Sequence, residues 1–158
     1  MHKNGRVESK LQKGGGFTLL ELMAIVGILG VLVTLVIPRV FSAVVEAKIS
    51  KTKEKAALLS KAITGDVSSM SGYELDVGAL PSSLSELLTK PAGVSMYDPF
   101  TKKGWNGPYI KEAKPGDYLL DGWSNSFIYD KNARTIKSYG ADGASGGTGD
   151  DADITSAF

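Results

Sequence analysis

At 158 residues the chain has room for one compact domain and a short appendage, and 18 Lys+Arg against 17 Asp+Glu leave a formal charge of +1. That balance, with no run of basic residues, argues against a nucleic-acid partner. The absence of cysteine excludes disulfides, thiolate metal sites and cysteine nucleophiles together, and a single histidine, His2, removes Ser-His triads and histidine metal sites.

Residues 1–16, MHKNGRVESKLQKGGG, carry Lys3, Arg6, Lys10 and Lys13 against Glu8 alone. No charged residue then occurs from Leu22 to Pro38, and widening the window to Phe17–Val45 gives 29 residues with two charges, Glu21 and Arg39. A hydrocarbon core of about 30 Å needs about 20 helical residues, so this segment is long enough to span. A domain of this size rarely encloses a helix that is apolar on every face, which disfavours a buried core helix. A secretory signal would have a shorter apolar core closed by small residues, and no such site follows. The basic flank therefore predicts a single pass, with residues 1–16 in the cytoplasm and the rest across the membrane, in contact with lipid. The mean hydropathy of −0.02 averages this segment with a polar remainder.

Glu21 is out of place there. A carboxylate at the bilayer centre costs about 2.5–3.5 kcal/mol on insertion scales. Near the helix end it reaches the interface, which explains tolerance but not presence. A cut just before Phe17 would make Glu21 the fifth residue, and its carboxylate could then be neutralised by the new amine of a neighbouring chain.

Residues 39–64 lack Gly and Pro and are rich in Ala, Lys, Glu and Leu, so the helix is predicted to continue to a stop at Gly65. Ile49, Ala56, Leu59, Ala62 and Ile63 recur at helical spacing, with Lys48, Lys51, Lys55 and Lys61 pointing elsewhere. Residues 66–107 are turn-rich, and Pro81–Leu88 reads as a short helix with serine capping. Apolar residues around 117–121, 126–130 and 135–139 predict a small antiparallel sheet, with Asp130–Arg134 as a hairpin turn. The fold class is therefore α+β, a long N-terminal helix whose apolar stripe packs on that sheet.

Ser138–Ile154 holds Asp142, Asp150, Asp151 and Asp153, many glycines and no basic residue. Oxygen-only ligands on a glycine-rich loop suit Ca²⁺; a solvated, disordered tail has the same composition. The span Asp142–Asp153 has the length of an EF-hand loop, but Ala144 and Gly146 stand at its ligand positions. Asp98, Asp117 and Asp121 are the candidates for a carboxylate-based glycosidase, an alternative resting only on residue type.

Lys13-Gly-Gly-Gly16-Phe17-Thr-Leu-Leu-Glu21 resembles the processing site of the type IV pilin and pseudopilin superfamily. The resemblance implies cleavage between Gly16 and Phe17 by a prepilin peptidase, N-methylation of Phe17, an assembly role for Glu21, and a helix kink at Pro38. Gly107-Pro-Tyr-Ile110, Asp121-Gly-Trp-Ser-Asn-Ser-Phe127, Ser138-Tyr-Gly-Ala-Asp-Gly143 and Ala152-Asp-Ile154 look like the major pseudopilins of type II secretion systems. The chain has Asp121-Gly122-Trp123-Ser124 where that family commonly has Asp-Pro-Trp-Gly. The resemblance implies a leader at 1–16, an assembly helix at 17–41 and a periplasmic head at 42–158. It implies no catalytic residue. A calcium ion would be held by Asp142, Asp153 and the Tyr139 carbonyl, with Asp150 and Asp151 as further candidates. The implied partners are other copies of the chain in a helical filament, minor pseudopilins, the peptidase and an inner-membrane assembly platform. The nearest alternative is a type IV pilin of a surface fibre, and the missing disulfide favours the pseudopilin.

Overall fold

The computed structural model describes residues 16–66, 71–111 and 114–158. The leader expected at 1–16 lies outside them apart from Gly16. Two compact units divide the chain between Phe41 and Ser42.

In the first unit the backbone enters helix α1, Leu19–Thr64. Its start is fixed locally: the Thr18 hydroxyl accepts the Glu21 N–H at 3.2 Å. This is half of a capping box, in which a threonine satisfies one of the orphan amides of the first turn. Every residue from Gly16 to Thr34 is exposed. By length and composition, α1 contains a stretch able to cross a membrane. Its helical backbone runs through Pro38 without a break.

In the second unit α1 ends at Thr64, as the glycine signal predicts. Gly65 has φ +93° and donates its N–H to the Lys61 carbonyl at 2.8 Å. A Cβ on Gly72 would lie 2.2 Å from the Gly65 nitrogen, so glycine is required for the two backbones to meet. Helix α2, Tyr73–Val77, follows. The short helix expected over 81–88 is a single 3₁₀ turn at Leu84–Leu87. Ser83 makes no side-chain cap there; its hydroxyl pairs with that of Ser85 at 2.7 Å.

The sheet has three antiparallel strands in the order β1 (Ile128–Asp130), β2 (Thr135–Ser138) and β3 (Ile154–Ala157). Tyr129 faces Ile136 across the first pair, and Ser138 faces Ile154 across the second. The hairpin turn is where the sequence places it, with the Asp130 carboxylate accepting the N–H groups of Asn132 and Ala133 at 2.9 and 2.8 Å. One strand differs from expectation. Asp117–Leu119 is a 3₁₀ turn entered through Gly116 at φ +79°, and the third strand comes from the C-terminal segment. Ile154-Thr-Ser-Ala157 carries one large apolar residue, so its periodicity is too faint to mark it as a strand.

Ala56, Leu59, Ala62 and Ile63 of α1 join Tyr73, Leu84, Leu87, Trp105, Tyr118, Phe127 and Ile136 in one core. The predicted stripe thus meets the sheet, and Leu59, Ile63 and Ile136 are essentially fully buried. Two polar residues share the buried face: Thr52, and Ser60, whose hydroxyl lies 3.1 Å from that of Ser156 on β3. Lys55 departs from its expected outward position. Its ammonium donates to the carbonyls of Asp117 and Leu120 at 2.6 and 2.9 Å and pairs with the Asp117 carboxylate at 3.2 Å. Both carbonyls belong to the turn at 117–120, where that of Asp117 also accepts the Leu120 N–H at 3.3 Å, and a lysine head can reach them while its stem covers apolar surface.

Candidate functional site

Two regions carry the residues singled out by sequence. The first is the start of α1. Gly16 and Phe17 precede the helix, and Phe17 is exposed. Glu21 is exposed in the first turn, where its backbone N–H meets Thr18 and its negative charge suits the positive end of the helix dipole. Thr18-Leu-Leu-Glu21 is a local start signal legible in the sequence but not singled out there.

The second region is the acidic segment between β2 and β3. It is not a structureless tail. Asp142 accepts the Ala144 N–H at 3.0 Å, Asp153 accepts the Gly146 N–H at 2.9 Å, and the Asp150 carbonyl accepts the Ala141 N–H at 3.0 Å. Gly149–Asp151 makes a 3₁₀ turn before the chain enters β3. The two sides of the loop close on glycines. A Cβ on Gly140 (φ +70°) would lie 2.8 Å from the Asp150 oxygen, and one on Gly147 (φ +84°) 2.5 Å from the Asp151 oxygen. Only residues without a Cβ fit this cradle.

The donors available to a cation are hard oxygens: the carboxylates of Asp142, Asp150, Asp151 and Asp153 and loop carbonyls including that of Tyr139. Among the described residues no three carboxylate, imidazole or thiolate groups converge on one point. An ion here would be held by fewer than three carboxylates and complete its shell with carbonyls and water. The glycine cradle and all-oxygen donor set fit Ca²⁺, which tolerates that mixture, better than the tetrahedral nitrogen and sulfur preferences of zinc.

The three aspartates considered for hydrolytic chemistry all have structural partners. Asp98 accepts the Phe100 N–H at 2.9 Å and the Thr101 hydroxyl at 3.0 Å, which holds its carboxyl below the usual range. Asp117 pairs with Lys55. Asp121, 3% exposed, accepts the N–H groups of Trp123 and Asn125 at 2.8 and 2.9 Å and the Ser138 hydroxyl at 2.5 Å. Elsewhere, burial pushes the Tyr109 hydroxyl up to about 12. Burial, then the hydrogen bond to Glu86 at 2.5 Å, raises Tyr73 well above the ordinary tyrosine value.

A long N-terminal helix, apolar in its first half, followed by a small α+β domain with a three-stranded antiparallel sheet defines a pilin-like protein. The family model described as "Type II secretion system (T2SS), protein G" matches residues 39–157. Three curated relatives are each described as "Type II secretion system core protein G". The one from Xanthomonas campestris pv. campestris is 34% identical over 143 residues, covering 88% of this chain and 87% of the relative. The Pseudomonas aeruginosa protein is 36% identical over 147 residues, covering 88% and 92%. That of Vibrio cholerae serotype O1 is 35% identical over 155 residues, covering 92% of both. The chain belongs to the protein G family of the type II secretion system, the family of its major pseudopilin.

Proposed function

We propose that this chain is a structural subunit that polymerises through the N-terminal part of α1 into the periplasmic pseudopilus of a type II secretion system and so drives export of folded proteins. Family membership over most of the chain carries this reading. Before assembly the apolar half of α1 stores the subunit in the bacterial inner membrane, with the domain from Ser42 on the periplasmic side. A prepilin peptidase cleaves between Gly16 and Phe17, and Phe17 is then N-methylated. The exposed Glu21 takes up the Phe17 amine of a neighbouring copy, an ion pair made inside an apolar helix bundle where either charge alone would be costly. Pro38 leaves the carbonyl one turn earlier without its helical partner, which supports a bend there.

In this reading calcium is a resident ion of the acidic loop. Asp142 and Asp153 with the Tyr139 carbonyl form its first choice of ligands, and Asp150 and Asp151 the next. A bound ion would neutralise mutual repulsion among these carboxylates and brace the loop, as a disulfide would in a chain with cysteines. No residue is assigned a catalytic role. The partners are further copies of this chain, minor pseudopilins, the inner-membrane assembly platform and the surrounding lipid.

The test replaces Glu21 by Ala in cells that carry the secretion machinery. Processed, methylated, membrane-inserted subunit is expected at normal level, with filaments reduced at least about tenfold, the scale of an intramembrane ion pair. Normal filaments from the variant would overturn the role of Glu21, and an uncleaved Met1 chain in mass spectra would overturn the assembly reading itself.

A further inference from the structure

A chain of hydrogen bonds runs from α1 to the root of the acidic loop. Thr52 is fully buried on α1; its hydroxyl donates to the Lys48 carbonyl at 2.8 Å and accepts the Gly122 N–H at 2.9 Å. A Cβ on Gly122 would lie 2.4 Å from the Lys48 oxygen. A proline at 122, as in the common family pattern, would therefore lose the donor and collide with α1, so this link belongs to this chain's own sequence. Next to it, buried Asp121 accepts from Trp123, Asn125 and Ser138, and the Ser138 hydroxyl in turn accepts the Gly140 N–H at 3.2 Å. The Asn125 side-chain amide donates to the Gly140 carbonyl at 2.8 Å. Gly140 is thus gripped through both its N–H and its C=O. It is also the residue against which Asp150 and Asp151 close, with Ala141 donating to the Asp150 carbonyl. A Cβ on Gly143 would lie 3.5 Å from the Asn125 carboxamide, so Asn125 also backs the outgoing side of the loop.

We infer that Asn125 is the positioning residue of the acidic loop: with Asp121 and Ser138 it sets the loop's closed shape from the protein side, before any cation arrives. The inference rests on the calcium reading given above. The relay is oriented by donors and acceptors that contain no cation ligand. The Gly140 carbonyl meets Asn125 while the Asp150–Asp151 backbone packs against the same residue's Cα. Outer partners of this kind typically govern affinity by 10- to 100-fold in metal sites. Calcium then binds a loop that is already folded, so little ordering entropy opposes it.

The experiment uses the full chain in detergent micelles. Calcium affinity is measured by isothermal titration, and amide hydrogen exchange across residues 139–153 is followed in excess chelator. For Asn125→Ala we expect calcium affinity about tenfold weaker and faster exchange at Ala141 in the chelated protein. The chelated melting temperature should move by no more than about 4 °C. A general loss of packing would move the melting temperature first and would not single out Ala141. Should Asn125→Ala fail to fold, Asn125→Leu keeps the branched volume without the donor and should give the same pattern. Asp142→Ala, a ligand change, separates the two claims. If it abolishes binding while both Asn125 variants bind and exchange as the wild type does, the positioning role is overturned and the calcium reading stands. If the wild type takes up no calcium, the calcium reading fails, and with it the assignment of Asn125 to a cation loop.

Discussion

Asp121 offers the sharpest stability test, because its carboxylate is 3% exposed and answers three donors at once. Asp121→Ala leaves the N–H groups of Trp123 and Asn125 without their acceptor and frees the Ser138 hydroxyl. A buried donor left unmade costs about 1–3 kcal/mol. The two amides sit in a half-buried turn, so about 1.5 kcal/mol each is a reasonable share, and the hydroxyl, which can rotate, adds about 1 kcal/mol. The sum is about 4 kcal/mol. The unit from Ser42 to Phe158 has 117 residues; at about 2.1 cal/mol/K per residue its unfolding entropy is about 0.25 kcal/mol/K, so the melting temperature should fall by about 16 °C. Thermal unfolding of the full chain in detergent and chelator, followed by near-ultraviolet circular dichroism around Trp105 and Trp123, reads this directly. Asp121→Asn keeps an acceptor oxygen for the two amides and should lose about half as much. A fall of less than about 4 °C for Asp121→Ala would refute the reasoning, since it would mean that water answers these donors as well as the carboxylate does.

Three further expectations follow from the geometry. Ser124 holds φ +73° where the family commonly has glycine. Ser124→Gly relieves about 1–2 kcal/mol of left-handed strain against about 0.5–1 kcal/mol of added unfolded-state freedom, so the melting temperature should rise by about 2 °C; a fall would show that the serine makes a compensating interaction. At acid pH, the two hydrogen bonds from Arg134 hold the Glu74 carboxyl below its ordinary 4.5. The stability of this pair is therefore complete above pH 4.5 and disappears as the pH falls through the lowered value. The acid limb of a melting-temperature profile should be shallower in Glu74→Gln than in the wild type. At the alkaline end the sign reverses: Tyr109, raised to about 12, adds stability that is complete below 10 and lost as the pH climbs through 12.

The local elements were legible in the sequence for local reasons. The recurring apolar residues of α1, its end at Gly65 and the Asp130–Arg134 turn each depend on neighbours a few residues apart, and each stands where the pattern places it. The processing-site resemblance at Gly16–Glu21 is likewise contiguous, as is the run of four aspartates and glycines after Ser138. Thr18 and Glu21 are equally contiguous, a threonine and a glutamate at the spacing that starts a helix.

Other features depend on which segments meet, and periodicity is blind to that. Lys55 and Asp121 look like surface charges in the sequence; one is drawn under a turn by two backbone carbonyls, and the other sits where three donors converge. Thr52 reads as a polar position on an otherwise apolar stripe until Gly122 is brought against it. The third strand is the clearest case. By composition alone 117–121 was the better candidate, yet Gly116 turns that segment into 3₁₀ backbone, and Ile154–Ala157 returns across the acidic loop to pair with β2. The sequence by itself thus determined the long helix, its apolar half and the chemistry of the loop, because those are properties of contiguous residues. Tertiary structure decided how the loop closes and which strand completes the sheet, because backbone hydrogen bonds in a ladder are indifferent to side-chain identity and are won by whichever segment the rest of the fold delivers.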